Sequence, residues 1–151
     1  MSPNGQGFLL NPEAPTGLMR YSHARVLPPS TYHTIHVAGI AAVSPNGTYE
    51  GVTENANGTF TLDIRAQTAA VLRRVESIIK GASNGKADLH NIVDATVYIL
   101  DMATQYAGMN EEWNKIWTDR ATAPARATIG VRELPDPRLL VEVKAIAVFQ
   151  E

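Results

Sequence analysis

The sequence predicts an α+β domain with two amphipathic helices packed on one face of a mixed β-sheet. Three observations carry this. Alternating apolar and polar residues mark strands at 33–43 and 92–100, and apolar residues at helical spacing mark helices at 63–80 and 103–117. The elements run strands, helix, strand, helix, strands, which suits two helices on one sheet better than alternating parallel units. The chain has 151 residues, 44% of them hydrophobic. That is enough for one core, so it divides into an irregular N-terminal arm over 1–17 and a single domain over 18–151.

The arm is rich in Pro, Gly and Asn and carries no helical or strand period. Residues 18–26 predict a short strand bearing Tyr21, His23 and Arg25, which Pro28 and Pro29 terminate. In the strand at 33–43, Ile35, Val37 and Gly39 fall on one face and Thr34, His36, Ala38 and Ile40 on the other. A glycine inside a strand implies that something approaches the backbone at Gly39. Residues 44–61 are turn-rich, with Asn46-Gly47 and Asn57-Gly58, and read as a loop or a β-hairpin. Both Asn-Gly-Thr triplets match the glycosylation acceptor pattern, but with no secretory signal in view they read as turns.

In the helix at 63–80, Ile64, Thr68, Val71, Leu72, Val75, Ile78 and Ile79 form one stripe, and Gly81 is the expected stop. The strand at 92–100 places Val93, Ala95, Val97 and Ile99 on one side. The second helix buries Tyr106, Met109, Trp113, Ile116 and Trp117, with Asn110 inside that stripe.

Composition excludes several function classes. A net charge of -2, a pI near 6.1 and the lack of a basic run give no general attraction for nucleic acid or anionic membrane. There are no cysteines, hence no disulfides, thiolate nucleophiles or cysteine metal sites. No apolar run is long enough to span a bilayer, and a cytoplasmic protein is expected. His33 and His36 resemble a metal pair only until the strand period is applied, which turns them to opposite faces; His23 and His90 are scattered. Neither a Walker loop, a Gly-x-Gly-x-x-Gly turn nor a Gly-x-Ser-x-Gly elbow occurs.

What remains is the stretch 124–147, read as two strands joined by a turn at Leu134-Pro-Asp-Pro137. Arg126 shares a strand face with Thr128 and Gly130, and Glu142 shares one with Leu140, Lys144 and Ile146. Desolvated charges need a partner or a ligand. If the two strands are hairpin neighbours, both charges face one pocket; an ordinary Arg–Glu cross-strand pair satisfies the same pattern.

These residues resemble the Rid family of reactive-intermediate deaminases, the YjgF-type enamine/imine deaminases. The likeness lies in Pro124-Ala-Arg126-Ala-Thr-Ile, Leu134-Pro135 and Leu140-Val-Glu142-Val-Lys-Ala-Ile-Ala147. It continues in Tyr21-Ser-His-Ala24, Val37-Ala-Gly39, Asp63-Ile-Arg-Ala-Gln-Thr68, Asp94–Met102 and Asn110-Glu-Glu-Trp113. Within the family, His23-Ala-Arg25, Leu62–Thr68 and Leu134–Lys144 are most similar to members that deaminate 2-aminomuconate.

The resemblance implies a chorismate-mutase-like α+β fold, a homotrimer with clefts between subunits, and hydrolysis of an enamine or imine to a ketone and ammonia without metal or organic cofactor. It implies that Arg126 takes the substrate carboxylate and Glu142 holds and activates water. Backbone groups at Gly39 and Ile40, with the Thr128 hydroxyl, complete the polar lining, and Tyr21 closes the cleft. Asn110 occupies the place of the family's helix asparagine, as a substrate contact or as a structural hydrogen-bonder. Lys144 replaces an acid common in the family. A dicarboxylate needs a second cation, for which His23, Arg25, Arg132 and Arg138 are candidates. A general deaminase of 2-imino and 2-enamino acids, and a noncatalytic trimeric carboxylate-binding module, remain as alternatives.

Overall fold

The computed structural model describes residues 2–10, 12–13 and 20–150. Its elements are β1 (Gln6–Phe8), β2 (Ala24–Val26), β3 (His33–Ala41), β4 (Val52–Glu54), β5 (Phe60–Leu62), α1 (Ile64–Ala82), β6 (Ile92–Ile99), α2 (Met102–Ile116), β7 (Ala125–Gly130) and β8 (Val141–Phe149). The main sheet has the order β3-β8-β6-β7; β6 and β7 run parallel, and β8 is antiparallel to both β3 and β6. Helices α1 and α2 cover one face, as the sequence predicts.

The core fills the space between helices and sheet. Val71, Val75 and Ile79 of α1 and Met109 and Trp113 of α2 meet Val37, Val97, Ile99, Val141 and Val143 of the sheet, all nearly free of solvent. Each such side chain contributes about 1.5–3 kcal/mol of burial energy. Gly108 lets the helices approach closely, since a Cβ there would lie 2.7 Å from Ile64 Cγ2. Helix α1 starts on Asp63, whose side chain accepts from the amides of Arg65 and Ala66. It runs through Gly81 and ends on Ser83, so Gly81 is not the stop; Asn84 and Gly85, both with positive φ, carry the chain out of it.

Three expectations are corrected. The strands at 125–130 and 141–149 are not hairpin neighbours, because β6 lies between them. β7 is reached from β6 through the α2 crossover, as a parallel neighbour must be. The ten-residue link to β8 is longer than the two to five residues of usual hairpin loops, and β8 enters the slot between β3 and β6. Buried Gln67 pins this link, donating to Arg138 O at 2.7 Å and accepting from the Leu140 amide at 2.8 Å.

The second correction concerns β3. A bulge between Val37 and Ile40 breaks its alternation, pairing Ile40 with Val143 on the covered side and Ala41 with Glu142 on the open side. Gly39 thereby moves to the open face. The third concerns the arm, where Gln6–Phe8 forms a strand paired with Ala24–Val26. Arg25 fastens it through Asn4 O and Oδ1, Gly5 O, Ala121 O and Ala123 O, while Asn4 donates to Ile92 O at 2.7 Å. Residues 14–19, part of the predicted arm and of the strand at 18–26, lie outside the described residues. The Asn46 and Asn57 triplets are turns: each Asn side chain accepts from the amide two residues on, and Gly47 and Gly58 take positive φ.

Candidate active site

Arg126 stands on the edge strand β7, on the face that the helices cover, since its register partner on β6 is buried Ala95. Helix α2 receives its guanidinium. Nη2 donates to Asn110 Oδ1 at 2.8 Å, Nη1 lies 3.9 Å from Met109 Sδ, and the group sits 4.7 Å from the Trp113 ring centroid. Tyr21 contributes a second ring at 5.3 Å. That ring is held near by a parallel bridge between Ser22 and Ala125 and by Ser22 Oγ donating to Ala123 O at 2.8 Å.

Burial pulls the Arg126 pKa down, and the Tyr106 hydroxyl and Tyr21 partly offset this. An arginine remains charged under such a shift. Its Nε is buried with no hydrogen-bond partner, and so is Thr128 Oγ1 two residues along the same face. Buried polar atoms without partners are uncommon and costly. Both belong to residues that line a cleft of about 410 Å³ whose other walls are Tyr21, Met102, Tyr106 and Ala127. The cleft is therefore lined by a desolvated cation and by a threonine whose hydroxyl has no partner within the chain.

Asn110 is fully buried and does not line this cleft. Its Nδ2 donates to Tyr106 O one helical turn back while its Oδ1 orients Arg126, so it positions the cation. Tyr106 and Met102 escape sequence reasoning because a wall of a cleft and a member of a buried helical stripe share one spacing. The available signal is that Tyr106 lies four residues before Asn110 and hence on its face.

Glu142 is elsewhere. Its partners are Ala41 on β3 and Tyr98 on β6, which puts it on the open face, opposite to Arg126 and separated from β7 by β6. A Cβ on Gly39 would come within 2.0 Å of Glu142 Oε1, so the missing side chain at Gly39 is what lets the carboxylate lie on the β3 backbone. Ile40 neighbours this pair at the bulge. The structure thus brings together Arg126, Thr128 and Tyr21 in one place and Gly39, Glu142 and the adjoining Ile40 backbone in another, while the Ile40 side chain faces the covered side. The single pocket that hairpin neighbours would have formed within one chain is overturned by the sheet order.

The four cations considered for a second carboxylate fare differently. Arg25 is spent on backbone carbonyls and Asn4. Arg138 is clamped to Asp136 at 2.7 and 2.8 Å and stacked 3.6 Å over Tyr49, which holds the Asp136 carboxyl far below its usual range. His23 is exposed, and its Nδ1 accepts from the Leu10 amide at 3.0 Å. Arg132 is exposed beyond the end of β7. Among the described residues no group of three or more His, Cys, Asp and Glu side chains could hold a metal ion, and no helix is long and apolar enough to cross a membrane.

A two-layer α+β domain with an arginine-floored cleft on its edge strand is the class these observations define. Residues 11–149 match the family described as Endoribonuclease L-PSP, and the chain belongs to that family, the Rid/YjgF proteins. A RutC family protein of Aquifex aeolicus is 31% identical over 91 residues, covering 60% of this chain and 69% of the relative. The crystal structure of the Rid-family protein YyfB of Yersinia pestis, described as of unknown function, superposes with a TM-score of 0.71 at 27% identity over 92% of this chain and 96% of that one. The YjgF-family protein NMB1025 of Neisseria meningitidis gives 0.55 at 29% identity over 78% and 81%.

Proposed function

We propose that this protein is a cofactor-free hydrolytic deaminase of 2-enamino and 2-imino acids, with 2-aminomuconate as its substrate. The observation that carries this reading is that Arg126 and Thr128, whose Nε and Oγ1 are buried with no partner in the chain, both line one cleft roomy enough for a small acid. A planar guanidinium takes a carboxylate through paired charge-assisted hydrogen bonds, each worth roughly 1.5–3 kcal/mol. Family membership is in keeping with such a role.

The chemistry follows from holding the C1 carboxylate at Arg126. The enamine takes a proton at carbon and becomes an imine, and water adds to C2 to give a carbinolamine. The C–N bond then breaks, leaving 2-oxo-hexenedioate (4-oxalocrotonate) and ammonia, so that one water is consumed for each ammonia released. Glu142 accepts the proton of the attacking water and returns it to the departing nitrogen. Because Arg126 and Glu142 occupy opposite faces of the sheet, this division of labour needs a second copy of the chain: Glu142, with Gly39 and Ile40, comes from the neighbouring subunit of a homotrimer.

The test is to supply freshly generated 2-aminomuconate and follow its ultraviolet absorbance together with ammonia. Equimolar ammonia, lost in Arg126→Ala with the oligomer retained, is the expected result. No turnover of 2-aminomuconate, with turnover of oxidase-generated 2-imino acids, transfers the assignment to the general imino acids; no turnover of either, with carboxylate binding intact, leaves a binding module.

A further inference from the structure

Resting on the deaminase reading, we propose that Lys144 is the second carboxylate anchor, a cation that makes the site selective for dicarboxylates. A six-carbon diacid held at C1 by Arg126 presents its distal carboxylate beyond the carbon that Glu142 serves, so a cation must stand close to Glu142. Lys144 follows Glu142 by two residues on β8, hence on the same face and roughly 6.6 Å along the strand. It is exposed and, among the described residues, has no ion pair. Thr96 on β6 lies opposite it, and Ala38 and Gly39 of the β3 bulge flank its other side, so small residues leave room for a ligand.

The other charged groups on this face lie further off or carry the wrong sign. His36 pairs with Ile146, four residues from Glu142 along the strand, and Asp94 faces the same Ile146 from β6. Of the remaining cations, Arg25 and Arg138 are already engaged and His23 lies outside the cleft. Arg132 is six residues past Arg126, roughly 20 Å if the chain stays extended. Without Lys144, the acids Glu142 and Asp94 would repel a distal carboxylate. With it, that carboxylate has a compact charge on a flexible stem.

The experiment uses two stable ligands that differ only at the distal end: muconate (hexa-2,4-dienedioate) and sorbate (hexa-2,4-dienoate), titrated calorimetrically into the full-length protein. Wild type is expected to bind muconate about tenfold more tightly than sorbate, as one charge-assisted contact allows. Lys144→Met reduces that ratio to within about twofold of unity by loss of muconate affinity, Lys144→Arg restores it, and Arg132→Met leaves it in place. A Lys144→Met protein that keeps the wild-type ratio, or a wild type with no preference, overturns the inference. Arg126→Ala separates the two claims: if it leaves the binding of both acids untouched, the deaminase reading fails as well.

Discussion

The two faces of the sheet are built to opposite ends. The covered face carries its one charged side chain, Arg126, fully framed by Asn110, Met109, Trp113 and Tyr21, with every supporting residue in the same chain. The open face carries a polar row, Glu142 and Lys144 on β8 with Thr96 and Tyr98 opposite, on the side turned away from both helices. One half of the proposed site is therefore preorganised by folding, and the other lies on the opposite face of the same sheet. The burial penalty is offset on the covered side by fixed dipoles and rings, whereas at Glu142 the structure provides the room that Gly39 leaves.

Removing the charge on either face should cost most of the activity. Arg126→Ala and Glu142→Gln should each lower kcat/KM by a hundredfold or more, since loss of about 3 kcal/mol corresponds to that factor. Co-refolding the two variants in equal amounts should return about a quarter of wild-type activity, because three quarters of random trimers are mixed and each holds one intact site in three. If both residues served one chain's own site, mixing would restore nothing, and the assignment of Glu142 to the neighbouring subunit would be wrong.

Gly39→Ala comes next. The added Cβ would meet Glu142 Oε1 at 2.0 Å, and the carboxylate, as the end of a flexible side chain, must swing away. Misplacing a catalytic group by an ångström costs up to about a hundredfold, so kcat should fall by roughly ten- to a hundredfold while Tm changes little. A large loss of Tm with kcat preserved would make Gly39 a folding residue instead.

On the covered side Asn110 sets the orientation of Arg126. Asn110→Ala removes the acceptor that orients Arg126 and should lower kcat/KM about tenfold, in line with the loss of one hydrogen bond to a charged group. Asn110→Asp should be worse. A carboxylate there would pair with Arg126 and compete with the substrate, raising KM above that of the alanine variant. A purely structural asparagine predicts the reverse order, which steady-state kinetics on both variants would reveal.

Much of this architecture is legible in the sequence, and the reason it stops is physical. Side-chain periodicity reports which residues face the core, so both helices, β3 and β6 follow from it, and the oddity of Arg126 in an apolar strand follows from the cost of burying charge. Periodicity does not report which strand lies beside which. The short chain distance between β7 and β8 suggested a hairpin, but the parallel crossover through α2 placed β6 between them and sent Arg126 and Glu142 to opposite faces. The bulge at Val37–Ile40 was equally hidden, since a strand's alternation is carried through a bulge only by its partner's register. Gly39 was the one local sign of it.

The smallest effect tests the link that makes this topology possible. Between β7 and β8 the chain turns at Asp136, whose carboxylate accepts from Arg138 Nε and Nη2 and from the Arg138 amide. These bonds hold the folded-state pKa of Asp136 well below that of the unfolded chain. A depressed carboxylate pKa means that its contribution is present above the unfolded value near 4 and is lost as pH falls toward the folded one. Asp136→Asn should therefore lower Tm modestly at pH 7, and its difference from wild type should shrink steadily below about pH 4. A difference that stays constant down to pH 2 would show that the Asp136 charge does not hold the link, leaving Gln67 and its two bonds to Arg138 and Leu140 as the fastening.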